Sequence, residues 1–200
     1  MPGEPKTGRG RASRERIVER AAELFAERGI AATSVDEVLA AAGAGKGQFY
    51  HYFRGRDELA AAAVGFRCEQ VVAGLAQALG SVSSLAGLEE ALAGFMTGFE
   101  QSGMPGCPIG TLATEVAGRN EEARLQAAAG FDAWERLLAG ALERMRQRGE
   151  LRADTPVATV ATGLLASIEG GMVLSQARKD IASLRIAVET GLGQARAHLS

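Results

Sequence analysis

Apolar residues recur along this chain mostly at every third or fourth position, the spacing of one face of an α-helix. Ile17, Ala21, Leu24 and Phe25 form the first stripe, which Ser13 is placed to cap and Gly29 to end. Ile30 follows as the apolar contact that often accompanies a glycine cap. Val35, Val38, Leu39 and Ala42 form a second, shorter stripe. Ser34 and Glu37 open it with a capping-box pattern, whose hydroxyl and carboxylate satisfy orphan N–H groups. Gly43 stops it, because glycine readily takes the left-handed conformation of a C′ residue. Gly45 opens a third short helix, in which Phe49 and Phe53 lie one turn apart and point inward. Lys46, Gln48, Tyr50, His51 and Tyr52 are then left facing outward.

Longer helices follow. One begins at Arg56 and Asp57 and runs to about Leu79 on an imperfect stripe of Leu59, Ala63, Phe66, Val71 or Val72, and Leu75. A turn over 80–84 leads to a helix over 85–99 with Leu88, Leu92, Phe95, Met96 and Phe99 on one side. The segment QSGMPGCPIG is a sharply bent loop, and a short helix over 111–118 follows it. Asn120 is placed to cap a helix over 121–148, with Glu121 and Glu122 favoured by the dipole of its first turn. Asp154 is placed to cap the next helix, with Pro156 near its first turn, and a last helix starts near Asp180. Those two final helices are more apolar than one core face requires, which suggests a two-fold four-helix interface between copies. The pattern as a whole predicts an all-α chain of about nine helices.

Two short helices joined by a glycine turn make a helix-turn-helix, whose second helix enters a DNA major groove. A third helix, over 13–28, is needed to bury their small apolar faces. Charge supports this division. The net charge of −2 alone argues against a generally basic coat, but residues 1–56 carry a net +3 and residues 57–200 a net −5. The expected organisation is a flexible basic arm over 1–12, a DNA-binding domain over 13–56 and a body over 57–200. Cys68 and Cys107 have no zinc-ligand or CxxC spacing, and no secretory apolar region opens the sequence, so a reduced, cytoplasmic setting is expected. No uncharged apolar run approaches the roughly 18 residues of a membrane span.

Signatures of enzymes are missing. AGAGKGQ resembles a phosphate loop superficially, but Ala40 stands where the first glycine belongs and Gly47 where the Ser/Thr belongs. No GxSxG or HExxH occurs, and His51 and His198, the latter in an expected frayed terminus, have no companion at ligand spacing. No enzyme activity, cofactor or metal is expected.

GAGKGQFYHYFRGRDEL resembles the recognition-helix motif of TetR-family transcriptional regulators, which commonly reads close to G-V-S-K-G-T-L-Y-x-Y-F-x-x-K-x-x-L. Gly43, Lys46, Gly47, Tyr50, Tyr52, Phe53 and Leu59 match it; Ala44, Gly45, Gln48, Phe49 and Arg56 depart from it. Gly45 in place of serine removes a capping hydroxyl. The resemblance covers about a quarter of the chain and implies a ligand-responsive, homodimeric repressor of a palindromic DNA operator, with half-sites about one turn apart. Phosphate contacts are expected from Ser34, Lys46, Tyr52 and Arg56, and more weakly from Thr33. Base contacts are expected from Gln48, whose amide can pair with adenine, from Gly47 by close approach, and from Tyr50 and His51, with packing as the other reading for Tyr50.

The same resemblance implies a body pocket whose small-molecule effector weakens DNA binding. Its expected lining is Phe66, Phe95, Phe99, Met104, Ile109, Leu112, Glu115, Phe131, Trp134, Ile168 and Met172, with simple core packing as the alternative for each. An apolar or aromatic ligand fits this set. GCPIGTLATE is also similar to a G-C-x-x-G-x-L-x-x-E stretch of some members, a few of which sense oxidants or electrophiles by cysteine. Cys107 just before a helix start is therefore expected either to carry a dipole-stabilised thiolate or only to pack. A third reading is an enzyme or carrier that retains the fold without binding DNA.

Overall fold

Helical periodicity is realised throughout. The computed structural model describes residue 5 and residues 7–200, and among these it contains nine helices. They are α1 (Gly8–Arg28), α2 (Val35–Ala42), α3 (Lys46–Tyr52), α4 (Arg56–Leu79), α5 (Leu85–Gln101), α6 (Pro108–Val116), α7 (Glu121–Gln147), α8 (Val157–Arg178) and α9 (Ala182–Arg196). Several starts differ from expectation. Thr7, not Ser13, caps α1: its hydroxyl accepts from Gly10 N–H at 3.1 Å, and Ser13 lies buried inside the helix. Residues 8–12 of the expected arm are thus helical, and residues 1–4 and 6 lie outside the described residues. α6 begins three residues early because Pro108 suits a first helical position. Asp154 does not cap α8; it pairs with Arg152 at 3.5 Å, and Pro156 stands at the N-cap.

The chain divides into two compact units, one of Met1–Gln70 with Thr111–Gly130, the other of Val71–Gly110 with Phe131–Ser200. The first unit reaches beyond residue 56 and takes in the start of α4, the end of α6 and the start of α7. Its core joins Ile17, Ala21 and Phe25 of α1 to Val38 and Leu39 of α2, Phe49 of α3, Phe53, and Leu59 of α4. Each large side chain of this kind contributes about 1.5–3 kcal/mol on burial. Gly29 turns the chain after α1 at φ 85°, and Ile30 packs back on the core. Glu115 accepts from Ala31 N–H at 2.7 Å, and Asn120 donates to Asp57 O at 2.9 Å, so α6 and the start of α7 belong physically to this unit.

In the second unit α8 packs on α9 at close range. A Cβ on Gly171 would lie 2.9 Å from Leu184 Cα, and one on Gly191 would lie 2.6 Å from Leu164 Cδ1, so a glycine on each helix permits the approach. Buried Ser175 accepts from Leu184 N–H at 3.0 Å in the first turn of α9. Arg196 of α9 pairs with Glu89 of α5 at 2.6 Å. The C-terminal residues are not frayed: Leu151 bridges Leu199, and Arg152 reaches His198 Nδ1 at 3.0 Å. α4 and α8 are long and apolar enough to cross a membrane by length and composition alone, but α8 buries Leu164, Ile168 and Met172 within this unit.

Candidate functional site

The reading surface is built from α2, the glycine turn and α3. Ser34 and Glu37 form the full capping box: Glu37 N–H donates to Ser34 Oγ at 3.2 Å, and Ser34 N–H to Glu37 Oε2 at 2.8 Å. The N–H of Ser34 and its hydroxyl together hold the Glu37 carboxyl below its ordinary range. Gly43 ends α2 in the left-handed region at φ 59°. Gly45 has no side chain to cap α3, and half of a capping box compensates: Gln48 Oε1 accepts from Gly45 N–H at 3.0 Å. One lone pair of that oxygen is thereby committed. Its second lone pair and the Nε2 amide remain for a base edge, so the capping bond fixes the side chain without using up its pairing groups.

Phe49 and Phe53 are buried and fix the inner face of α3, leaving Lys46, Gly47, Gln48, Tyr50 and His51 exposed. Tyr50 is 65% exposed, which decides between surface and packing in favour of surface. Nothing lies within 4 Å of a Cβ built on Gly47, so the backbone there is open to close approach. Lys46 Nζ stands 3.1 Å from the Asp36 carboxylate, an exposed pair whose contribution is at most about 1 kcal/mol and which is easily exchanged for a phosphate.

Three expected phosphate contacts are placed differently. Thr33 is buried, and its hydroxyl donates to Gly29 O at 2.8 Å. Tyr52 is buried at 8% exposure, because the helical register carries its ring onto Phe53 (6.4 Å between centroids) rather than outward. Arg56 turns its Nη2 onto the α1–α2 turn, against Ile30 O, Ala31 O at 3.1 Å and Thr33 O at 3.2 Å. Orphan carbonyls after a helix end attract a guanidinium, and here they take the charge expected to reach DNA.

The second unit contains a cleft of ≈ 890 Å³ along the end of α4, the 81–84 turn and one face of α5. Phe95, Phe99, Trp134 and Met172 line it as expected. Phe95 meets Trp134 edge-on, with centroids 6.1 Å apart, and lies parallel to Phe99 at 6.5 Å. Serines 81, 83, 84 and 102 and the carboxylate of Glu90 supply the polar part of the lining. The remaining expected lining residues lie elsewhere. Phe66 packs on the core of the first unit, where Leu112 and Glu115 also belong. Ile109 and Ile168 are fully buried, Met104 and Phe131 are half-buried, and none of the four lines the cleft. The sequence reading missed the small residues: Gly87, Ala91, Gly94 and Gly98 follow one another at helical spacing on α5 and form its smooth wall.

Cys107 sits behind Gly106 and Pro108, which do line the cleft. Of the two readings of Cys107, its surroundings favour packing over a stabilised thiolate. Burial, reinforced by the Glu169 carboxyl, pushes the thiol up to about 12, although Gly110 N–H donates to its Sγ at 3.3 Å. Cys68 is likewise buried and pushed up to about 11. Glu169 is itself raised by burial, and its Oε1 is buried without a hydrogen-bond partner among the described residues.

Comparison with known proteins agrees with this architecture. The profile of the bacterial regulatory proteins of the tetR family matches residues 17–63, and that of the LmrA/YxaF-like transcriptional regulator C-terminal domain matches residues 84–190. An uncharacterized HTH-type transcriptional regulator of Mycobacterium tuberculosis, Rv0196, is 32% identical over 179 residues, covering 86% of this chain and 88% of that one. The HTH-type transcriptional regulator YxaF of Bacillus subtilis is 30% identical over 180 residues, covering 88% and 92%. The crystal structure of a TetR regulatory protein from Rhodobacter sphaeroides superposes with a TM-score of 0.73 at 26% identity, over 90% of this chain and 97% of that one. Members of this family are DNA-binding, generally non-enzymatic and typically dimeric. The two matched stretches span the helix-turn-helix and most of the helical body, and the chain belongs to the TetR family of HTH-type transcriptional regulators.

Proposed function

We propose that this regulator is a ligand-responsive repressor of the cytoplasm, which binds a palindromic operator as a homodimer and leaves it when a small, largely apolar molecule enters the cleft. The observation that carries the DNA half is the outer face of α3, where Lys46, Gly47, Gln48, Tyr50 and His51 are exposed together on a helix pinned by buried Phe49. Gln48, Gly47, Tyr50 and His51 address base edges, and Lys46 and Ser34 address phosphates, which supply most of the affinity. Thr33, Tyr52 and Arg56 act by holding the head in shape. Exposed Val173 and Leu174 on α8 and Ile186 on α9 support a two-fold four-helix interface between copies. The aromatic wall and serine-rich margin of the cleft suit an aromatic ligand with a hydroxyl or cationic group, and Glu90 is the residue to meet a cation. Effector and operator then oppose each other through one coupling free energy, felt equally at both sites.

Selection of bound duplexes from a random DNA library, at low and high salt, tests this reading. The expected product is a palindrome with half-sites about one turn apart, bound more weakly in salt and by the Gln48→Ala variant. Recovery of no duplex at low salt would refute it for the ligand-free protein.

A further inference from the structure

Trp134 is the only tryptophan of the chain. It stands on α7 in the second unit, is 3% exposed and lines the cleft. Indole joins a large apolar body to one N–H that can only donate, and a buried N–H of this kind usually has a partner. Trp134 Nε1 makes no hydrogen bond among the described residues. It is also not one of the partnerless polar atoms sealed from solvent, which are Ser13 Oγ, Arg67 Nε and Glu169 Oε1. The little surface that this side chain keeps therefore includes its donor, and the open space that the side chain borders is the cleft.

Its neighbours in that wall do not serve it. Phe99 offers no acceptor, and the Met172 thioether and the Phe95 ring, 6.1 Å away between centroids, offer only weak ones. The serines of the margin are already engaged: Ser102 donates to Phe99 O at 2.9 Å, Ser84 Oγ accepts from Gly87 N–H at 3.2 Å, and Ser83 Oγ accepts from Arg148 at 3.5 Å. On α5, Gly94 and Gly98 leave open space one turn apart, so a flat ring can lie along that helix. A ligand that answers Trp134 must bring an acceptor. A hydroxyl would also bring a proton that needs a partner of its own among apolar side chains, whereas a carbonyl oxygen brings none.

We propose that the cleft selects aromatic carbonyl compounds, whose ring lies among Phe95, Phe99 and the glycines of α5 and whose oxygen accepts from Trp134 Nε1–H. This rests on the effector reading of the cleft given above and adds the residue that recognises the ligand's acceptor; a hydroxyl or cationic group on the same ligand is left for the serine margin and Glu90. Two probes of nearly one shape test it, 2-acetylnaphthalene with the carbonyl and 2-ethylnaphthalene without it. Because the chain has a single indole, one proton resonance reports the site in the unaltered protein. The ketone is expected to move that N–H resonance downfield, and the hydrocarbon is not. Calorimetric affinities of both probes for the parent chain and for Trp134→Phe complete a cycle. The variant should lower the affinity for the ketone relative to the hydrocarbon by about three- to tenfold, the worth of one hydrogen bond exchanged with water. A role of the ring in shape alone would weaken both probes together and leave their ratio unchanged. If both probes bind and move the indole signal alike, and the variant does not alter the ratio, the acceptor assignment fails and the effector reading of the cleft stands. If neither probe moves the indole signal, both fail together. Should Trp134→Phe not fold, the resonance of the parent chain decides alone.

Discussion

Replacing Arg56 with methionine separates a structural clamp from a DNA contact at one position. The side chain keeps its length and loses every donor. Nη2 lies within reach of three carbonyl oxygens, those of Ile30, Ala31 and Thr33, but one guanidinium nitrogen carries two hydrogens and makes two good bonds at most. A hydrogen bond to a charged group contributes about 1.5–3 kcal/mol. The Arg56 side chain is exposed and the freed carbonyls of Ile30 and Ala31 can turn to water, so the pair together should contribute about 1.5–3 kcal/mol rather than twice that. Urea unfolding at fixed protein concentration, followed by the loss of helical circular dichroism, is the assay. With a slope of about 1–3 kcal/mol/M the midpoint of Arg56→Met should fall by roughly 1 M. The salt slope for duplex DNA should stay that of the parent chain. An unchanged midpoint together with a slope flattened by about 0.9 would mean that the guanidinium neutralises a phosphate after all, and the clamp reading would be refuted.

Three further outcomes follow from the body. With its thiol at about 12, folded Cys107 should react with iodoacetamide near neutral pH on the order of a thousand times more slowly than an unperturbed thiol; peptide mass spectrometry showing comparable rates would restore the thiol-sensor reading. Glu169 has a raised folded pKa, so its penalty is absent below the ordinary 4.5 and grows as pH rises through the folded value. Glu169→Gln should therefore stabilise the protein near neutral pH by about 1 kcal/mol and change little in acid, and equal effects at both pH values would contradict this. Gly98→Phe projects a ring into the cleft from a position where a Cβ meets nothing within 4 Å. It should abolish fluorescence enhancement of anilinonaphthalene sulfonate, used as an apolar probe, while leaving duplex affinity intact; undiminished enhancement would place the probe, and the cleft's role, elsewhere.

The parts of the fold that were legible in the sequence are those whose signals are local. Ser34, Glu37 and Gly43 write the limits of α2 within ten residues, and Phe49 and Phe53 set the inward face of α3 by spacing alone. Thr7 was passed over because glycines and arginines after it carry no apolar stripe, although its hydroxyl is a sufficient cap. The surroundings of Arg56 and Tyr52 are not legible because they are distant in sequence or set by register: three carbonyls some 23 to 26 residues away, and the side of the helix on which the ring falls. The cleft was half legible. A search for large apolar residues finds the walls at Phe95, Phe99 and Trp134, but equally finds Ile109 and Ile168, which are core. What makes the space is the absence of side chains along α5, and absence gives no apolar signal.

That glycine-lined wall bears on how such a regulator diversifies. Gly74, Gly94 and Gly98 face the cleft with open space where a side chain would begin. Each lies within a helix, where glycine costs about 0.5–1 kcal/mol relative to alanine. A single mutation at any of them would both gain helix stability and reshape the chamber without moving the backbone. Most changes of specificity in proteins must overcome a loss of stability; here the two run in the same direction. A lineage carrying this wall can narrow from accepting broad ligands to accepting slender ones in single steps, while the head and its operator remain as they were.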